Sequence, residues 1–263
     1  MKITLRHIII TLVVLIVATL ACSTAAFPAP EPTAAPTLSP TAAQPISQSV
    51  TLTSTPFSEE NNTPAYKITA QIPTLTGSKD PRVLAFNAEL KDIVQQKIDA
   101  FKKDTVLYTT TPTVSAGSYF NVQYELVGQQ GNFWSIKFNL DGYTDGAAHP
   151  YHYSATVNYD LDKGKDVTLD EIFLPNSNYL QFISQYCVAE LSKRDIGFDG
   201  FHQGADPTPE NYRNWNVSDK GLVITFDEYQ VAPYAAGPQT ITIPYGILGS
   251  VTNDQSPLAP FLP

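Results

Sequence analysis

The residues best placed to do chemistry sit in DGAAHPYHY, Asp145 to Tyr153, which holds two of the chain's four histidines. His149 and His152 are three apart. Two imidazoles share a metal only when they point the same way, and an odd separation along a strand sends them to opposite faces. Pro150 biases the residue before it away from the helical region, so a helical turn does not align them either. Nothing resembles H-E-x-x-H, and no Cys/His cluster has zinc spacing. No metal and no other cofactor is expected. The serine-hydrolase pattern G-x-S-x-G is absent. Hydrolysis would have to rest on His149 with a nearby carboxylate such as Asp145. The adjacent pair Asp227 and Glu228 should face apart on a strand, as one solvated charge and one loop contact. The competing reading of the motif is structural. Gly146 opens a turn conformation closed to other residues, Ala147 and Ala148 permit close backbone approach, and His149 bridges backbone groups across the turn.

A second stretch, DEYQVAPYAAGP, sets Tyr229 and Tyr234 among residues too small to cover them. Tyrosines on a rigid loop are typical anchors for a protein or a glycan. His149, Tyr151, Tyr229 and Tyr234 are therefore the candidate ligand-binding residues. Cys187 lies in the apolar stripe Tyr179, Leu180, Ile183, Cys187, Leu191 and reads as a buried structural thiol rather than a nucleophile.

The elements that must position these residues follow from hydrophobic periodicity. AYKITAQIP alternates as a strand. Asp80 and Pro81 start an amphipathic helix of about 23 residues, with Val83, Phe86, Leu90, Ile93, Val94, Ile98 and Phe101 on its apolar face. SYFNVQYELV and NFWSIKFNLDGY form a hairpin, and YHYSATVNYDL a further strand. A second helix is predicted near 177–193, then a long loop over 195–216, then strands at 222–226 and 239–243. This order predicts an α+β fold with antiparallel sheets, each packed by one helix, in two small subdomains at 65–145 and 146–250, with a tail at 251–263.

Upstream, a basic start and the fourteen-residue run Ile8 to Ala21 are too short for a comfortable membrane span and read as a signal peptide over 1–21. Cys22 follows directly, as in bacterial lipoproteins, and is the expected lipidation site, anchoring the chain to the membrane outside the cytoplasm. Residues 22–64 hold eight prolines and no Lys or Arg, and are expected to form a disordered tether. Without residues 1–21 the chain has 14 basic against 25 acidic side chains, a net charge of −11. No basic cluster is present, which argues against nucleic acid.

YTDGAAHPYHYSATVNYDLDKGKDVTLDEIF, followed by GLVITFDEYQVAPYAAGPQTITIPYGIL, resembles the extracytoplasmic domain of RsiV-like anti-sigma factors. The same domain precedes the catalytic domain of PdaC-type peptidoglycan deacetylases, and many of its relatives have no assigned activity. The resemblance covers about residues 65 to 250. It implies an α+β fold and a binding module for a lysozyme-like protein or peptidoglycan. Neither an anti-sigma segment nor a deacetylase domain is expected to carry over.

Overall fold

The computed structural model describes residue 46 and residues 49–108 and 117–259. The signal peptide, Cys22, most of the 22–64 tether and the last residues of the tail fall outside the described residues.

The architecture is α+β, with two sheets and two separate hydrophobic cores. The first sheet has six strands in sequential order: β1 (Thr51–Asn62), β2 (Ala65–Thr76), β3 (Ser118–Gln130), β4 (Phe133–Tyr143), β5 (Tyr151–Asp160) and β6 (Lys165–Asp166). Helix α1 (Pro81–Tyr108) joins β2 to β3. Asp80 caps it as expected, its Oδ1 accepting from the Arg82 amide at 2.9 Å. The helix lays Val83, Phe86, Leu90, Val94, Ile98 and Phe101 on one sheet face, against Ile68, Phe120, Val122, Ile136, Phe138 and Leu140.

The second sheet is antiparallel, β7 (Trp215–Val217), β8 (Gly221–Phe226) and β9 (Gln239–Pro244), with α2 (Tyr179–Leu191) packed on it and a one-turn α3 (Tyr245–Leu248) at its end. Cys187 is fully buried in this core, and burial pushes its thiol up to about 12, far from a nucleophile's range.

Three expectations need correction. Residues 51–62 are not tether but strand β1, paired with β2 along its whole length. The first sheet is not purely antiparallel: β2 and β3 pair in parallel, because α1 carries the chain back to the starting end. The cores also divide near residues 161–167 rather than at 145/146, a boundary that would cut between the paired strands β4 and β5.

At the junction of the two cores Glu89 of α1 lies close to Asp166. Burial, then the Asp166 carboxylate, pushes the Glu89 carboxyl up to about 7 from 4.5. A raised folded-state pKa means that the folded chain holds this proton to higher pH than the unfolded chain. The stability it contributes is full below about pH 4.5 and is lost as pH rises through about 7. Melting temperature should therefore fall by a few degrees between about pH 5 and about pH 8. Glu89→Gln should flatten that part of the profile in paired thermal melts, and an unchanged slope would exclude Glu89 as its source.

Candidate functional site

Three of the four sequence-selected residues meet. His149 lies in the loop between β4 and β5, and Tyr229 and Tyr234 in the loop between β8 and β9. The His149 ring lies against Tyr234 at 4.0 Å between centroids, and Tyr229 lies 5.9 Å from Tyr234. His149 Nδ1 is 2.7 Å from the Pro150 carbonyl, and its Nε2 is 3.1 Å from the Tyr229 hydroxyl. A carbonyl only accepts, so Nδ1 carries a proton, and in the tautomer with Nε2 bare that nitrogen accepts from the Tyr229 hydroxyl. The motif is thus half buttress, gripping its own backbone, and half contact to a distant loop. Gly146 has φ +89°, the turn conformation expected of it.

Tyr151 is not part of this cluster. It points to the α1 side of the sheet, over Gly142, where a Cβ would lie 2.4 Å from its hydroxyl. There it stacks with Tyr153 at 5.9 Å, and burial raises its hydroxyl above the ordinary tyrosine value.

The carboxylates expected to face apart both grip β5. Only the last two residues of β5 are covered by β6, so amides on the rest of that edge need other acceptors. Asp227 Oδ1 accepts from the Ser154 amide at 2.8 Å, and Glu228 Oε2 from the His152 amide at 2.9 Å. Asp227 Oδ2 also accepts from Arg213 and Asn214 at 3.1 and 3.0 Å. His152 is held on both ring nitrogens, Nδ1 at 2.7 Å from Glu228 and Nε2 at 2.9 Å from Asp141. Its carboxylate partners lie on opposite sides of the ring, a bridge rather than a metal cage. Among the described residues no group of three or more His, Cys, Asp or Glu could hold a metal ion. The carboxylates of Asp141 and Glu228 are thus taken up by His152, and His149 is paired with a tyrosine.

Pinning residues 227 and 228 forces the next residue into an unusual conformation. Tyr229 has φ +62° and is 53% exposed. The left-handed region disfavours a side chain with a Cβ by about 1–2 kcal/mol. The clamp holds Tyr229 there, with its hydroxyl on His149.

The cluster stands at one end of the sheet face opposite α1. Register places the side chains of this face in rows across β3, β4 and β5. Tyr119 and Tyr143 form the row nearest the cluster, stacked at 6.2 Å. Asn121, Asp141 and His152 follow, then Gln123, Asn139 and Ser154, then Glu125, Lys137 and Thr156. Beyond these, Ser135 and Asn158 are buried under β7. The two middle rows, Lys137 and Pro238, together with Leu140 and Tyr153, line a groove of about 510 Å³. Strand alternation made the polar face legible in the sequence. The clamp by residues 227 and 228 was not, because it joins segments more than 70 residues apart.

Residues 170–246 match the family described as "Protein of unknown function (DUF3298)". The match takes in α2, the second sheet, the clamp carboxylates and both loop tyrosines, but not His149 or strands β1–β5. The chain is 29% identical over 172 residues to "Peptidoglycan-N-acetylmuramic acid deacetylase PdaC" of Bacillus subtilis, covering 64% of this chain and 36% of that protein. It is 28% identical over 102 residues to "Esterase Rv3036c" of Mycobacterium tuberculosis, covering 38% of this chain and 44% of that protein. The chain therefore spans less than half the length of these curated relatives. Among solved structures, a DUF3298 family member from Bacteroides fragilis superposes with a TM-score of 0.58 at 17% identity, covering 79% of this chain and 94% of that one. That likeness is one of fold.

Proposed function

We propose that this chain is a binding module of the bacterial cell envelope, held at the membrane by a lipid on Cys22, and that it recognises cell-wall glycan. The observation that carries this reading is the aromatic cluster of His149, Tyr229 and Tyr234, wholly or partly exposed, on the same sheet face as the groove. Aromatic faces take the apolar face of a sugar ring, and preorganised rings lose little entropy when they do so. Similarity to a deacetylase of peptidoglycan N-acetylmuramic acid supports the choice of ligand. A lysozyme-like protein is the alternative ligand, and the acidic balance of the chain would suit it.

The test is calorimetric titration of the full chain with soluble peptidoglycan fragments and, separately, with lysozyme. Fragment binding is expected, and Tyr234→Ala should weaken it at least about tenfold, by removing the ring that His149 leans on. Lysozyme binding without fragment binding would overturn the glycan reading in favour of the protein ligand.

A second reading is ester hydrolysis. The partial similarity to an esterase and the Tyr229 hydroxyl held on His149 Nε2 favour it, since a nucleophile needs a base within hydrogen-bond reach. Turnover of an acetyl ester by the full chain, lost in His149→Ala, would support it over pure binding.

A further inference from the structure

We infer that the groove beside the aromatic cluster is a subsite for a carboxylate-bearing saccharide, with Lys137 as the residue that selects the acidic sugar. This rests on the glycan reading above and names the chemistry of the sugar.

The argument begins with what the groove side chains already touch. Past the Tyr119 and Tyr143 pair, the row of Asn121, Asp141 and His152 is internally satisfied. Asn121 donates to Asp141 at 3.1 Å and accepts from Thr69 at 2.6 Å, while Asp141 faces His152 at 2.9 Å. The next row is different. Gln123, Asn139 and Ser154 stand side by side across three strands, and among the described residues their side chains have no hydrogen-bond partner. Two amides and a hydroxyl offer donors and acceptors together, as a polyhydroxylated ring requires.

Lys137 lies one row further in. It is half-buried and lines the groove, yet among the described residues no carboxylate lies within 4.0 Å of its ammonium. Its cross-strand neighbour Glu125 is exposed and makes no ion pair with it. Thr156, opposite on the other side, turns its hydroxyl to the Arg213 carbonyl at 3.4 Å. Asp141 and Glu228 are both occupied by His152. Lys137 is therefore the groove's uncommitted cation in a chain that is acidic overall. A partly buried lysine whose ammonium meets no carboxylate among the described residues favours a ligand that brings one.

Successive rows on one face of a strand are roughly 7 Å apart, twice the residue rise. A saccharide with one ring on the aromatic cluster and its neighbours along the groove would lay hydroxyls on the amide row and a carboxylate on Lys137. Among cell-wall sugars this selects a ring carrying a carboxylate substituent over a neutral N-acetylated one.

The test titrates the full chain with two probes of matched length, a neutral chitin tetrasaccharide and a peptide-free tetrasaccharide that alternates N-acetylglucosamine with N-acetylmuramic acid. The acidic probe should bind about tenfold more tightly, and Lys137→Met should erase that preference by weakening the acidic probe to the affinity of the neutral one. Lys137→Arg should restore it. Equal binding of both probes by the unaltered chain, or a preference that survives Lys137→Met, would overturn the subsite while leaving the glycan reading intact. Binding of neither probe would overturn both, and the face would then be a solvated sheet surface.

Discussion

Asn158→Val should cost the fold about 3 kcal/mol, although no apolar contact is lost. Asn158, Ser135 and Asn216 are buried polar residues where β7 of the second sheet crosses the first. Asn158 Oδ1 accepts from the Ser135 hydroxyl at 2.6 Å, and its Nδ2 donates to the Trp215 carbonyl at 2.9 Å. Ser135 Oγ accepts in turn from Asn216 Nδ2 and from the Val217 amide, both at 2.9 Å. Valine leaves a buried carbonyl without its donor and a buried hydroxyl without its acceptor, at about 1–3 kcal/mol for each orphaned group. For a unit of this size that is on the order of 6–12 °C in melting temperature. Denaturant unfolding checks the figure, and a loss below about 1 kcal/mol would mean that water or a relaxed backbone replaces both bonds.

Glu228→Ala should have the second largest effect, and it should reach function. The Glu228 side chain is 8% exposed and accepts from both the amide and the ring of His152. Its removal frees an edge amide of β5 and one nitrogen of His152, a loss of about 2–3 kcal/mol for charge-assisted bonds. It also releases Tyr229 from its left-handed conformation, so the ring should leave His149 and fragment affinity should fall with stability. Glu228→Gln keeps one acceptor and should recover part of both. Melting curves and titrations on the two variants test this. Full binding by a destabilised Glu228→Ala would show that the clamp supports the fold and not the site.

Local pattern made much of the fold legible. The i, i+3, i+4 stripe from Val83 to Phe101 is the buried face of α1, and the alternation in β3, β4 and β5 separates the α1 face from the polar one. Strand β1 escaped because its burial does not alternate cleanly. It is an edge strand, and most of its twelve residues are exposed, so threonines, serines and a proline read as tether composition. The site was half legible. Tyr229 and Tyr234 stood out because nothing nearby in sequence was large enough to cover them. Their meeting with His149, and the grip of Asp227 and Glu228 on β5, depend on the docking of one sheet against the other, and no short-range periodicity encodes that.

Strand β1 also has a mechanical meaning. For a chain held at its N-terminal end, load enters the described fold at Ile46, whose amide donates to Asp162 at 3.1 Å, and next at Thr51, paired with Thr76. Because β1 is one arm of an antiparallel hairpin, a pull on that end peels it from β2 one pair at a time instead of shearing all pairs together. Releasing its twelve residues would lengthen the leash by about 40 Å. Neither the aromatic cluster nor the groove rows on β3, β4 and β5 would be pulled apart. In a chain held at that end, the first strand would thus give way before the rows on β3, β4 and β5.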